Sequence, residues 1–174
     1  MASNFTAFVS GAVLTAAQLN GVVDNFQDIA IFNETQASGT NGGASVGAAF
    51  AKRTLNTTVV NNIGGCSIAS SVVTLATAGT YYKRASTPGN ECGFIKVRIR
   101  NTTAASDTVV GINTSTVTNG GAFSTGEGVI TITASTNFEV QMYPQSSTAS
   151  HGLGRAQSTG SSEIYSQLYI ARIA

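Results

Sequence analysis

The chain has 174 residues, of which 42% are apolar and only 10% charged, and its formal net charge is +1. A near-neutral chain carries no global field to steer it, so neither nucleic acid nor anionic lipid is an expected partner. No run approaches the roughly 20 apolar residues that span a bilayer, and no membrane insertion is expected. With so few charges, much of the surface falls to Ser, Thr, Asn, Gly and Ala, which identical copies can bury at little desolvation cost. Met1-Ala2-Ser3-Asn4-Phe5 lacks the basic start of a signal peptide, so synthesis in a cytoplasm is expected. Cys66 and Cys92 are too few for a disulfide framework and lack metal-ligand spacing, which predicts two buried or half-buried thiols.

Taken in chain order, the first part reads as helical. Leu14-Thr15-Ala16-Ala17-Gln18-Leu19 has the form of a capping box, Thr15 and Gln18 each serving the other's backbone N–H, with Leu14 and Leu19 as a hydrophobic staple. Leu19, Val22, Phe26 and Ile29 then recur at steps of three, four and three, one seam on a helix expected to end near Phe32. Such a short helix is marginal alone in water. The seam is therefore expected to attach the chain to its symmetry mates or to another protein. The second part, residues 35–47, contains Ala37-Ser38-Gly39-Thr40-Asn41-Gly42-Gly43 and reads as a flexible linker. The predicted division is 1–34 as an anchor, 35–47 as a linker and 48–174 as a β domain.

That third part alternates short Val, Ile, Thr, Tyr and Phe runs with Gly, Asn or Ser. Strands are predicted near 50–60, 66–70, 72–76, 79–87, 93–101, 108–117, 122–133, 136–144 and 162–173. Ile95-Lys96-Val97-Arg98-Ile99-Arg100 sets three aliphatics on one face and three cations on the other. Strands about ten residues apart with no helices between them indicate an all-β antiparallel sandwich or jelly roll.

Catalytic chemistry has little to work with here, and neither an enzyme nor a cofactor is expected. His151 is the single histidine, and no Gly-x-Ser-x-Gly elbow accompanies it. It is read as a loop residue on an exposed tip. Glu91, Asp107, Glu127, Glu139 and Glu163 are scattered over separate segments, not paired as glycoside cleavage requires. Lys96, Arg98 and Arg100 form the one concentrated charge. It would suit an acidic or phosphorylated glycan, while the plainer reading is a solvated outer face that discourages edge pairing. Lys52-Arg53 and Lys83-Arg84 are successive residues and point to opposite faces of their strands. The polar stretch 146–161, which holds His151 and Arg155, is the best candidate for contact with a receptor or a neighbouring protein.

Arg53-Thr54-Leu55-Asn56-Thr57, Asn62-Ile63-Gly64-Gly65, Ala78-Gly79-Thr80-Tyr81 leading to Arg84-Ala85-Ser86, and Val97-Arg98-Ile99-Arg100-Asn101-Thr102-Thr103 together resemble a domain found at the C-terminus of many phage tail and fibre proteins. Val110-Gly111 and the stretch from Thr131 to Gln141 extend the match. The segment Leu14 to Asn20 is similar to N-terminal pieces of phage virion proteins. Two departures stand out: Leu75 is followed by Ala76-Thr77 before the Ala-Gly-Thr-Tyr turn, and the last strand ends Tyr169-Ile170-Ala171-Arg172-Ile173 without a Trp. The resemblance implies a jelly roll like that of tumour necrosis factor and the complement heads, and hence a homotrimer in a virion. It implies a tail fibre or tail-tip protein, or else a decoration protein on the capsid. Tyr81, Tyr165 and Tyr169, and with them Tyr82, suit a subunit interface, since tyrosine supplies area with one polar tip.

Overall fold

Strands form where β-branched and aromatic residues alternate with polar ones, and they cover more of the chain than expected. The computed structural model describes residues 28–174 together with Gly11, Val13, Thr15 and Ala16. The strands are β1 (Ile29–Gln36), β2 (Ala51–Lys52), β3 (Thr57–Asn61), β4 (Cys66–Ala69), β5 (Val72–Leu75), β6 (Gly79–Asn90), β7 (Phe94–Asn101), β8 (Ser106–Val110), β9 (Thr114–Ser115), β10 (Gly121–Ile132), β11 (Thr136–Pro144) and β12 (Glu163–Arg172). They form two antiparallel sheets. One has the order β10-β6-β12-β1-β3; the other runs β4-β5-β11-β7-β8, with β2 beside β11 and β9 beside β7.

Each predicted strand has its counterpart. The stretch 50–60 resolves into β2 and β3, and 108–117 into β8 and β9. On β7, Ile95, Val97 and Ile99 are buried while Lys96, Arg98 and Arg100 stay half-exposed, as the alternation requires.

The start of the chain needs correction. Ile29 and the residues to Phe32, expected to close a helix, form strand β1 instead, paired with β12 on one side and β3 on the other. Ile-Ala-Ile-Phe fits a period of two as well as a helical seam: Ala30 and Phe32 enter the core while Ile29 and Ile31 lie outward. Two ladders of backbone hydrogen bonds outweigh the local preference. Leu19, Val22 and Phe26 lie outside the described residues. Residues 37–47 are no free linker either. Gly42 N–H donates to Gly154 O, Leu153 N–H to Gly43 O, and buried Ser45 bridges to Thr148. The sandwich therefore begins at Ile29, not at 48.

Its main core lies between the sheets, with Phe32, Tyr81, Leu168 and Ile170 facing Val73, Leu75, Ile99 and Phe138. A smaller cluster of Cys92, Ile95 and Met142, with Ala122 and Leu153 against it, fills one end. Between the two runs a buried polar row. Thr87 and Ser124 are directly paired on β6 and β10, and Ser166 and Glu34 continue the row on β12 and β1. At that point β12 bulges, so Tyr165 and Ser166 stand opposite Glu34 alone and both turn inward. Arg53 enters this row from the opposite side. Its Nη2 lies 2.7 Å from Glu34 Oε2, and its Nε donates to Ser166 Oγ at 2.7 Å. Both cysteines are free and buried, as expected, and burial pushes the Cys66 thiol up to about 11.

Candidate functional site

The outward face of the five-stranded sheet carries few charges. Its residues are read off by register. Ile29, Ala171, Tyr82 and Val129 share one line across the strands. Ile31, Tyr169, Arg84 and Glu127 share the next. Tyr82 and Tyr169 meet edge to face with ring centroids 6.1 Å apart. With Arg84, Ser86 and Gln167 they line a depression of about 370 Å³. Tyr82 donates its hydroxyl to Glu127 Oε2 at 2.6 Å, and that bond to a carboxylate raises the Tyr82 pKa. One margin of this face is β10, an edge strand. Phe123 and Val129 on it are 67% and 56% exposed, and Val110 and Ile112 beside it are exposed too. Apolar side chains along an edge are uncommon on a monomer that stays alone.

The tyrosines expected at an interface divide. Tyr169 belongs to this face. Tyr81 is fully buried, its hydroxyl donating to Thr77 O at 2.7 Å, and Tyr165 is buried with its hydroxyl on Thr40 O at 2.7 Å. Neither can touch another copy. The pleat turns Tyr81 inward and Tyr82 outward, and the β12 bulge turns Tyr165 in. Burial raises both phenols. Tyr82 holds the outward position; counting the strand parity from buried Ala85 separates it from Tyr81.

The cationic stripe on β7 is largely engaged by its own fold. Arg98 and Arg100 both pair with Asp107, at 3.1 and 2.9 Å. Arg98 also donates to Gln141 Oε1 and lies over the Phe50 ring, 3.6 Å from its centroid. Partial burial pulls Asp107 upward, but the hydrogen bonds and charges of the two arginines hold its carboxyl below the usual aspartate value. Lys96 stands apart from that pairing. His151 and Arg155, on the polar loop, are brought together by Glu91: His151 Nε2 is 3.1 Å from Glu91 Oε2, and Arg155 Nη1 is 3.2 Å from Oε1. The hydrogen bond from His151 is the leading cause of the lowered Glu91 pKa. His151 is thus half-buried rather than at an exposed tip. Glu91 lies beside a second depression, of about 320 Å³, lined also by Gly93, Thr116, Val117 and Thr118. The other scattered acids stay apart. Glu139 faces Lys52 at 3.5 Å, and Glu163 accepts the N–H groups of Gly39, Gln157 and Ser158, which hold it below its ordinary value.

The first half of the 146–161 stretch is latched down. Arg53 Nη2 donates to Leu153 O at 2.8 Å, Cys92 Sγ to Gly152 O, and Thr148 Oγ1 to Glu91 O. Gly154 makes this approach possible: its φ is +135°, and a Cβ there would strike the Tyr165 ring. Gly154→Ala should cost more than about 1 kcal/mol and free the loop, read as faster proteolytic cleavage within 146–156; unchanged cleavage would refute the latch. Residues 157–162 are exposed throughout, and Ser146, Ser147, Ala149, Ser150 and Arg155 also reach solvent.

No protein-family model matches the chain, and no curated protein sequence does either. Solved structures do match. The tumour necrosis factor Eiger from S. frugiperda shares 12% identity at a TM-score of 0.56, over 84% of this chain and 92% of that one. The PRD1 vertex protein P5 shares 15% identity at a TM-score of 0.52, over 85% and 98%. The globular domain of zebrafish complement 1qA shares 14% at 0.51, over 84% and 95%. The chain is an all-β sandwich of two antiparallel sheets with the jelly-roll fold of tumour necrosis factor and complement heads.

Proposed function

We propose that the chain is a structural virion protein of a bacteriophage that assembles as a homotrimer, a tail fibre or tail-tip protein whose head presents loops to the host. The observation that carries this reading is the exposed apolar edge at Phe123 and Val129 beside a broad sheet face with few charges. An edge on one copy that fits a face on the next is a heterologous contact, which closes into a ring when the rotation allows. The likeness to Eiger, complement 1qA and the PRD1 vertex protein supports the same arrangement. Residues before β1 attach the head to other virion proteins. Function is then burial and avidity rather than catalysis: three loop sets, among them residues 157–162 and the Glu91–His151–Arg155 cluster, make weak contacts to a surface glycan or receptor that add together.

Decoration of the capsid is the second reading, favoured by the likeness to a protein described as a vertex protein. Locating the chain in an imaged virion separates the two. For the trimer itself, sedimentation equilibrium of the purified chain should give three times its 17.7 kDa mass. Phe123→Asp, which places a charge where apolar contact is needed, should shift the protein to monomer with its circular dichroism intact. A wild type that stays monomeric at all concentrations would refute the reading.

A further inference from the structure

Arg84 sits near the middle of β6, the second strand of the five-stranded sheet, with its side chain exposed. Glu127 stands directly opposite on β10, in register. Cross-strand neighbours of opposite charge ordinarily pair. These two do not: Glu127 takes the Tyr82 hydroxyl, and Arg84 makes no hydrogen bond or ion pair among the described residues. The other charges of the sheet are spoken for or lie at strand ends. Lys83 and Glu34 point inward, Glu163 holds loop N–H groups, and Arg172 donates to Ala78 O at the end of β12. Away from the strand ends, one cation and one anion therefore face outward.

Water satisfies both in a lone copy. A closed interface removes that water, and a guanidinium left unpaired there is costly. We infer that Arg84 of one copy pairs with Glu127 of the next across the trimer contact, and that this pair sets the rotation at which the three copies close. Position agrees with charge. Glu127 lies on the edge strand, in the same outward row as Phe123 and Val129, while Arg84 lies one strand inward beside Tyr169. An edge laid across a neighbour's face brings the acid of one copy to the arginine of the other, once per contact and three times per ring. Glu127 keeps one carboxylate oxygen for this bond while the other holds Tyr82. Opposite charges at matched positions also reject a slipped register, where like would meet like.

This rests on the trimer reading, and the experiment keeps the two apart. Wild type, Arg84→Glu, Glu127→Arg and the double variant are compared by sedimentation equilibrium at physiological salt. Circular dichroism and urea midpoints read folding separately. Each single change should raise the dissociation constant on the order of 100-fold, and the double change should recover most of that loss. If the wild type is trimeric but both single variants stay trimeric, or the double is no better than the singles, the pair is wrong and the trimer stands. If Arg84→Glu alone dissociates, an anion such as phosphate bridges the arginines instead, which also overturns the pair. A monomeric wild type removes both.

Discussion

Replacing Lys83 by Met should make the protein more stable at and below neutral pH, and leave it nearly unchanged in strong alkali. Lys83 is fully buried. Its Nζ donates to Thr108 Oγ1 at 2.8 Å and lies 3.6 Å from the centre of the Phe138 ring. Among the described residues no acid offsets it: the residues paired with it are Gly128 and Ile170, and Ile99 accepts the Thr108 hydroxyl behind it. Burial therefore pulls its pKa from 10.5 down to about 7. The unfolded chain binds the proton more tightly, so stability climbs as pH rises from about 7 to about 10.5. Below pH 7 both states are protonated and the full penalty applies, on the order of 3–5 kcal/mol. Above pH 10.5 both are neutral and the penalty vanishes. Met keeps the length of the side chain and removes the titrating group, while Thr108 retains its own bond to Ile99. Urea midpoints at about pH 6 and about pH 10 should show the wild type gaining and Lys83→Met flat. Parallel pH profiles for the two proteins would show that the amine is solvated in solution.

Arg53→Ala should be severely destabilising, by about 3–5 kcal/mol, a large part of what holds any domain of this size together. The change strands Glu34, 2% exposed, without its cation, and takes the donors from Ser166 and from Leu153 O. Burial raises the Glu34 carboxyl and lowers the Arg53 guanidinium, and the charge of each works against the other's shift. Replacing both, with Glu34→Leu and Arg53→Met, removes the stranded charge and should recover most of the loss. The pair is thus costly to break singly rather than strongly stabilising. Denaturation of the two single variants and the double gives the coupling directly. A loss of under 1 kcal/mol for Arg53→Ala would mean that water reaches the row.

The two buried cations also mark where sequence reasoning stopped. Period-two alternation places Lys52 opposite Arg53 and Lys83 opposite Arg84, and the structure agrees, Lys52 and Arg84 being exposed. It does not say which member goes inward. Local chemistry favours neither, since both are cations that prefer water. The pleat answers only once Tyr81 and Ala85 are known to face the core, because Lys83 shares their parity. The same parity sends Tyr81 inward and leaves Tyr82 on the candidate face. The Glu91–His151–Arg155 cluster was partly legible, since two of its members share one loop, but Glu91 arrives from 60 residues away from His151.

The order of β-branched and polar residues by itself determined the sandwich class, most strand positions after residue 50 and the apolar face of β7. Those properties depend on contacts between near neighbours along the chain, which spacing records. Tertiary structure decided the rest. Ile29 to Phe32 fits either a helix or a strand, and an open place between β12 and β3 made it a strand. A bulge in β12 buried Tyr165, and two distant segments met to hold Arg53. Which side of a strand is inside depends on the sheet it faces, and that partner lies far away in sequence.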